Sequence, residues 1–417
     1  MRAKYVLSGI FLCMIIGCMF WAVYSFAANQ ADKHNVREDR EINIDWERLY
    51  PFEKGIKRVT KQKETLYEYV KRKCEDYSSR NFFGYYSIVE YAKQYENVVA
   101  WNMVHVSDYN AVVKLHDDYL TTYQLSEDVT ENARSTIELS EYCRKNGIEF
   151  FYANFPAKIC IYEDKDVSGI LDFTNQNADK FLAMLNASGV KYYDFRKMLH
   201  DDGMKHHEAF YVTDHHWKAE TGLWAARHVL KILRDDYNWD VNPDVLNPER
   251  FDYVIYPEWF LGSQGKKVTL SQTKPDDFTM IYPKFETHIH YEIPSKEINT
   301  DGNFSVMLNM KQIEKKDYYH LSPYIVYSYG DIALIKCENY LIRNGKKILV
   351  IHDSFSDCVL PFLSTGNQNV DAIDLRYFTG SLKSYITKHK PDLIAVMYNS
   401  GIPANKTYPA IRLYDFK

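Results

Sequence analysis

Three apolar runs near the carboxyl end constrain this chain most: Ile348–Ile351 in "KKILVIHDSF", the core of "VDAIDLRYF", and Leu393–Met397 in "PDLIAVMYN". Each has strand length, and the helical "SLKSYITKHK" stands between the last two. Alternating polar and apolar residues would mark a strand with one wet face. Unbroken apolar runs mark strands buried on both faces, as in a parallel sheet covered by helices. The same rhythm opens earlier. "NAVVKLHDDYLTTY" reads as a short hairpin, and "ENARSTIELSEYCRKNG" has helical spacing and stops at Gly147. "IEFFYANFP" is a buried strand broken at Pro156, "NADKFLAMLNAS" a helix followed by Gly189, and "VKYYDF" a further strand. Leu223, Ala226, Leu230 and Leu233 mark the apolar face of another helix. The expected fold class is therefore α/β, a parallel sheet flanked by helices. From about residue 240 to 340 the rhythm lapses into aromatic, β-prone pieces, read as a β-rich insertion or accessory lobe.

Ahead of this domain, Tyr5–Ala27 carries no charge and is long enough to cross a bilayer as one helix. Arg2 and Lys4 precede it, which places residues 1–4 in the cytoplasm and the rest outside. A cleaved signal peptide is the rival reading, and either one exports the bulk of the chain. The expected order is a tail (1–4), an anchor (5–27), a charged helical stalk (28–105) and the α/β domain (106–417). A formal charge of −5 without a long basic tract argues against a nucleic-acid partner. The 35 tyrosines suit a sugar-binding surface, although tyrosines also fill cores. Seven scattered cysteines show no CxxC or Cys/His spacing, so neither a disulfide framework nor a metal cofactor is expected.

Two short segments carry the candidate chemistry. In "KKILVIHDSF" a buried strand ends in His-Asp-Ser, so Ser354 sits where reactive groups gather in open α/β sheets, with backbone N–H groups nearby to hold an oxyanion. In "FYVTDHHW", Asp214 and His216 lie two apart, so their side chains point the same way and the carboxylate can hold the imidazole as a base. His215 would point away. Purely structural roles fit each segment alone: Asp353 or Ser354 could cap a helix, and Thr213 or Asp214 another. A metal on the paired histidines lacks further ligands at regular spacing. Together the segments supply a nucleophile, a base and its orienting acid, the parts needed for acyl transfer.

At these residues the sequence resembles the alginate O-acetyltransferase group of SGNH-hydrolase-like proteins, especially its exported "DHHW" relatives in Gram-positive bacteria. Asp214-His215-His216-Trp217 is similar to their DxHW signature and "IHDSF" to their nucleophile block. "DDYLTTY" (Asp117 to Tyr123), "FPAKICIYEDK" (Phe155 to Lys165) and "IDLRYF" (Ile373 to Phe378) add to the likeness, which covers about Asn110 onward. The resemblance implies an SGNH-hydrolase-like fold in permuted order, with Ser354 as nucleophile, His216 as base and Asp214 as orienter. His352 stands where such hydrolases carry glycine. For the oxyanion hole, Gly262 in "FLGSQGKK" and Asn399 in "MYNSG" are the candidates. Lys158, Arg376 and Trp217 are candidates for gripping a glycan, although lone basic residues at strand ends also serve as plain surface charges. The resemblance further implies acetyl transfer onto an extracellular polysaccharide, fed by a multipass membrane O-acyltransferase. An esterase using water as acceptor and a non-catalytic glycan-binding scaffold are the rival functions.

Overall fold

The computed structural model describes residues 112–115, 118–162, 172–404 and 413–416. The anchor and stalk read from the sequence lie outside the described residues, and among those described no helix is long and apolar enough to cross a membrane.

In chain order, a small hairpin pairs β1 (Val113–Lys114) with β2 (Leu120–Thr121). Then come α1 (Thr130–Lys145), β3 (Glu149–Phe155), α2 (Thr174–Ala187), β4 (Tyr192–Asp194), α3 (Phe195–Asp201) and α4 (Ala219–Tyr237). After these follow β5 (Phe251–Phe260), α5 (Ser263–Val268), β6 (Asp276–Pro283), β7 (Ile289–Ile293), β8 (Ile298–Gly302) and β9 (Leu334–Asn339). The chain closes with β10 (Lys347–His352), α6 (Leu360–Gly366), β11 (Asn369–Ile373), α7 (Leu382–His389) and β12 (Leu393–Asn399). Eight strands form one sheet in the order β4-β3-β12-β10-β11-β9-β7-β8. From β4 to β11 every neighbour is parallel, whereas β9, β7 and β8 join antiparallel.

The pleat divides the strand residues into two cores. Phe151, Ala153, Val350, Ala395 and Met397 face α4 and α6, while Tyr152, Leu349, Ile351, Val396 and Tyr398 face α1, α2 and α7. Burial on both faces is why these strands read as unbroken apolar runs. Gly147 after α1 adopts φ +68°, and Asn238 after α4 adopts φ 57°, left-handed backbone that stops each helix.

The sheet is mixed, which corrects the expectation of an all-parallel one. Residues 240–340 are also not a lobe apart: β7, β8 and β9 extend the main sheet, and only β5 and β6 form a separate two-stranded ribbon.

Candidate active site

Ser354 follows the carboxyl end of β10 and opens a 3-10 turn, Ser354–Cys358. Asp353 builds that turn: its Oδ1 accepts the Phe355 N–H at 3.0 Å and its Oδ2 the Asn399 N–H at the end of β12. Burial pushes the Asp353 carboxyl up to about 6, against the pull of the Asn399 N–H and of Arg376. Beneath the turn, the Trp217 indole N–H donates to Phe355 O at 2.9 Å and the Tyr324 hydroxyl to Ser354 O at 3.0 Å.

Asp214 and His216 arrive from the segment ahead of α4. The Nδ1–H of His216 donates to Asp214 Oδ1 at 2.6 Å, which leaves Nε2 as the acceptor of the Ser354 hydroxyl at 2.8 Å. The imidazole stacks on Tyr324, with ring centroids 4.0 Å apart and planes 14° from parallel. Burial alone would raise the Asp214 carboxyl. The neighbouring His215 and His216 and the N–H of Ser263 overcome that and hold it well below the usual carboxylate range.

The backbone carrying Asp214 is clamped between two buried charges. Lys158, only 3% exposed, points its ammonium at three carbonyls: Leu120 at 2.6 Å, Val212 at 2.9 Å and Asp214 at 2.6 Å. Asp276 accepts the N–H groups of Val212 and Thr213 from the other side. Burial pulls the Lys158 ammonium down to about 7, opposed by Asp276 and Asp214. An uncharged amine has two N–H groups and would leave one of the three carbonyls facing a lone pair.

The structure thus brings Asp214, His216 and Ser354 into one hydrogen-bonded line and gives the other sequence candidates different places. Gly262 is no oxyanion donor, because its N–H donates to Thr213 Oγ1. It is glycine for another reason: a Cβ there would lie 2.6 Å from both Asp214 Cα and the Thr213 carbonyl. Asn399 ties two loops together, one amide N–H donating to Pro156 O and its Oδ1 accepting from the Gly401 N–H. Lys158 is an interior strut rather than a surface grip. Arg376 is held by Asp374 and Asp331, and Trp217 is fully buried, so neither presents itself to a glycan. His352, at the glycine position of related hydrolases, is buried with its Nδ1–H donating to Asp353 O. His215, expected to point away, instead lies beside His216, with ring centroids 3.8 Å apart. Asp214, His215 and His216 could crowd a metal ion, but that would break the short Asp214–His216 hydrogen bond.

Three residues of the site had no signal in the sequence that singled them out. Tyr324 is one of 35 tyrosines and lies in the stretch read as an accessory lobe. Phe355 and Ser263 stand beside residues that were singled out. The N–H of Ser263 donates to Asp214 Oδ2 and its hydroxyl meets His215 Nδ1 at 3.0 Å.

With this geometry in view, the family model described as SGNH hydrolase-like domain, acetyltransferase AlgX, matches residues 115–246, the part that carries the Asp-His-His-Trp block. The fold is SGNH-hydrolase-like. The resemblance read from that block is borne out: this stretch is similar to the SGNH hydrolase-like domain of an acetyltransferase. Among solved structures, Bacillus cereus PatB1 with a sulfonyl adduct is 16% identical over 75% of this chain and 100% of that one, with a TM-score of 0.61. A DHHW family protein from Eubacterium siraeum is 15% identical over 74% and 96%, with a TM-score of 0.57. At such identity these likenesses speak for the fold alone. No curated protein matches the sequence.

Proposed function

We propose that this SGNH domain works as an O-acetyltransferase, carrying an acetyl group on Ser354 and delivering it to a hydroxyl of a cell-surface or secreted polysaccharide. The observation that carries this reading is the continuous line from Asp214 through His216 to the Ser354 hydroxyl, at 2.6 and 2.8 Å. Ser354 Oγ attacks the carbonyl carbon of an activated acetyl ester while its proton passes to His216 Nε2, and the departing group takes that proton away. The imidazolium formed in between is stabilised by the ionised Asp214. In the turn, Phe355 N–H is spent on the Asp353 carboxylate and Ser356 N–H on the Asp353 carbonyl. The N–H of Ser354, without a hydrogen-bond partner among the described residues, is the donor this reading assigns to the developing oxyanion. A glycan hydroxyl then gives its proton to His216 and attacks the acetyl carbon, and Ser354 leaves with the proton.

In this reading Tyr5–Ala27 holds the domain on the outer side of the membrane, beside a multipass membrane O-acyltransferase that supplies the acetyl group. No cofactor is required by the chemistry. To test it, the full chain is exposed to 4-nitrophenyl acetate and its intact mass measured. One acetyl per chain is expected, mapping to Ser354 and absent from Ser354→Ala. Added oligosaccharide should then be acetylated. Discharge to water that ignores the sugar would make the protein an esterase, and no adduct at all would overturn the covalent mechanism.

A further inference from the structure

We infer that His215, the member of the Asp-His-His-Trp block outside the hydrogen-bonded line, receives the acceptor: it binds the hydroxyl adjacent to the one being acetylated. The inference rests on the transferase reading above.

Around the line nearly every side chain is sunk. Asp214, Trp217, Tyr324 and Phe355 are each 5% exposed or less, and His216 is 9% exposed. The side chain of His215, by contrast, is 45% exposed. It also borders the reacting group, since its ring lies 3.8 Å from that of His216 and 6.1 Å from that of Phe355, the residue after the nucleophile. His215 is therefore the exposed ring beside the base.

The ring is also held in place. Its Nδ1 meets the Ser263 hydroxyl, and the Ser263 N–H is anchored on Asp214 Oδ2, so one loop residue fixes both the acid and the outer histidine. Among the described residues Nε2 has no protein partner. Desolvation, and then the neighbouring His216, push the His215 pKa below the ordinary value. A neutral imidazole offers a single hydrogen bond and no charge, which matches an alcohol rather than a carboxylate or phosphate. The spacing of the two rings lets a vicinal pair of hydroxyls engage both at once. The reacting hydroxyl gives its proton to His216 Nε2 and attacks the acetyl carbon, breaking the bond to Ser354 Oγ, while its neighbour is held by His215. Water brings no neighbouring hydroxyl for His215 to hold.

The test compares acceptors on the full chain loaded with acetyl from 4-nitrophenyl acetate. Discharge is followed with ethanol, with 1,2-ethanediol and with cellotetraose. The native protein should favour the diol and the sugar over ethanol. His215→Ala should lose about tenfold of that preference, the worth of one hydrogen bond, while acetyl loading of Ser354 falls much less. Ser263→Ala should lose part of the preference and His215→Gln should retain part of it, which a simple folding defect would not reproduce. An unchanged preference in His215→Ala, or loading that falls as far as discharge, would overturn the assignment and leave the transferase reading standing. If no acceptor speeds discharge in the native protein, the transferase reading falls and takes this inference with it.

Discussion

Lys158 has three N–H groups and the fold gives them three carbonyls, one of them on Asp214. Replacing it with methionine keeps the bulk and removes a donor from each of the three carbonyls, of which Val212 O still accepts the Leu120 N–H. Lys158→Met should therefore cost roughly 2–4 kcal/mol of stability, read by chemical denaturation, and slow acetyl loading as Asp214 drifts. Asp214→Asn should keep the shape and present the wrong hydrogen to His216, with a loss on the order of 10³–10⁴-fold in turnover, as in other Ser-His-Asp sets. Asp353 tests the electrostatics. Its folded pKa, about 6, lies above the ordinary 3.8, so the folded state holds a proton that the unfolded state has released. Stability from this group is present below the lower value and is lost as pH rises through the higher one. Denaturation curves between pH 4 and 7 should show that slope, and Asp353→Asn should flatten it. The variant should also be less stable by about 1–3 kcal/mol, because an amide cannot accept both N–H groups. The proximity of Asp214, His216 and Ser354 was legible because the residue types are diagnostic and each stands at an element boundary. The place of Lys158 was not. Burial depends on what the fold later lays over a residue, and a lone lysine after a strand carries no mark of it.

Among the elements, the turn at Ser354 and the segment at Asp214 are each braced by a close glycine contact. A Cβ on Gly262 would press into the Asp214 backbone, and one on Gly222 in α4 would lie 2.8 Å from the Cys358 carbonyl at the end of the nucleophile turn. In each case a backbone atom is among the obstacles and cannot swing aside as a side-chain tip would. Gly262→Ala and Gly222→Ala should each cost about 1–3 kcal/mol, and Gly262→Ala should depress acetyl loading beyond what its thermal shift explains. The central strands were readable because burial on both faces leaves an unbroken apolar run. The antiparallel extension was harder to see. In β7, "IHYEI", buried and half-buried residues alternate as in any one-faced strand, and nothing local names β9 as its partner. The pairing is chosen by distant residues, so a window of sequence shows the strand and not its sheet.

At the scale of the molecule, the proposed anchor predicts that the native chain sediments with membranes and that deleting residues 5–27 releases it to the soluble fraction. A native chain already soluble and shortened at its amino end would instead identify a cleaved signal. The order of the sheet has a consequence of another sort. β12, which comes after every other strand of this sheet in chain order, fills the middle of the sheet between β3 and β10, and Asp353 at the reactive turn is tied to the backbone at its end. A ribosome making this protein therefore delivers the keystone after every other strand of the sheet. Until it arrives, two apolar strand edges stand open and the serine has no settled seat, so the reactive turn is completed only after the rest of the sheet has been made.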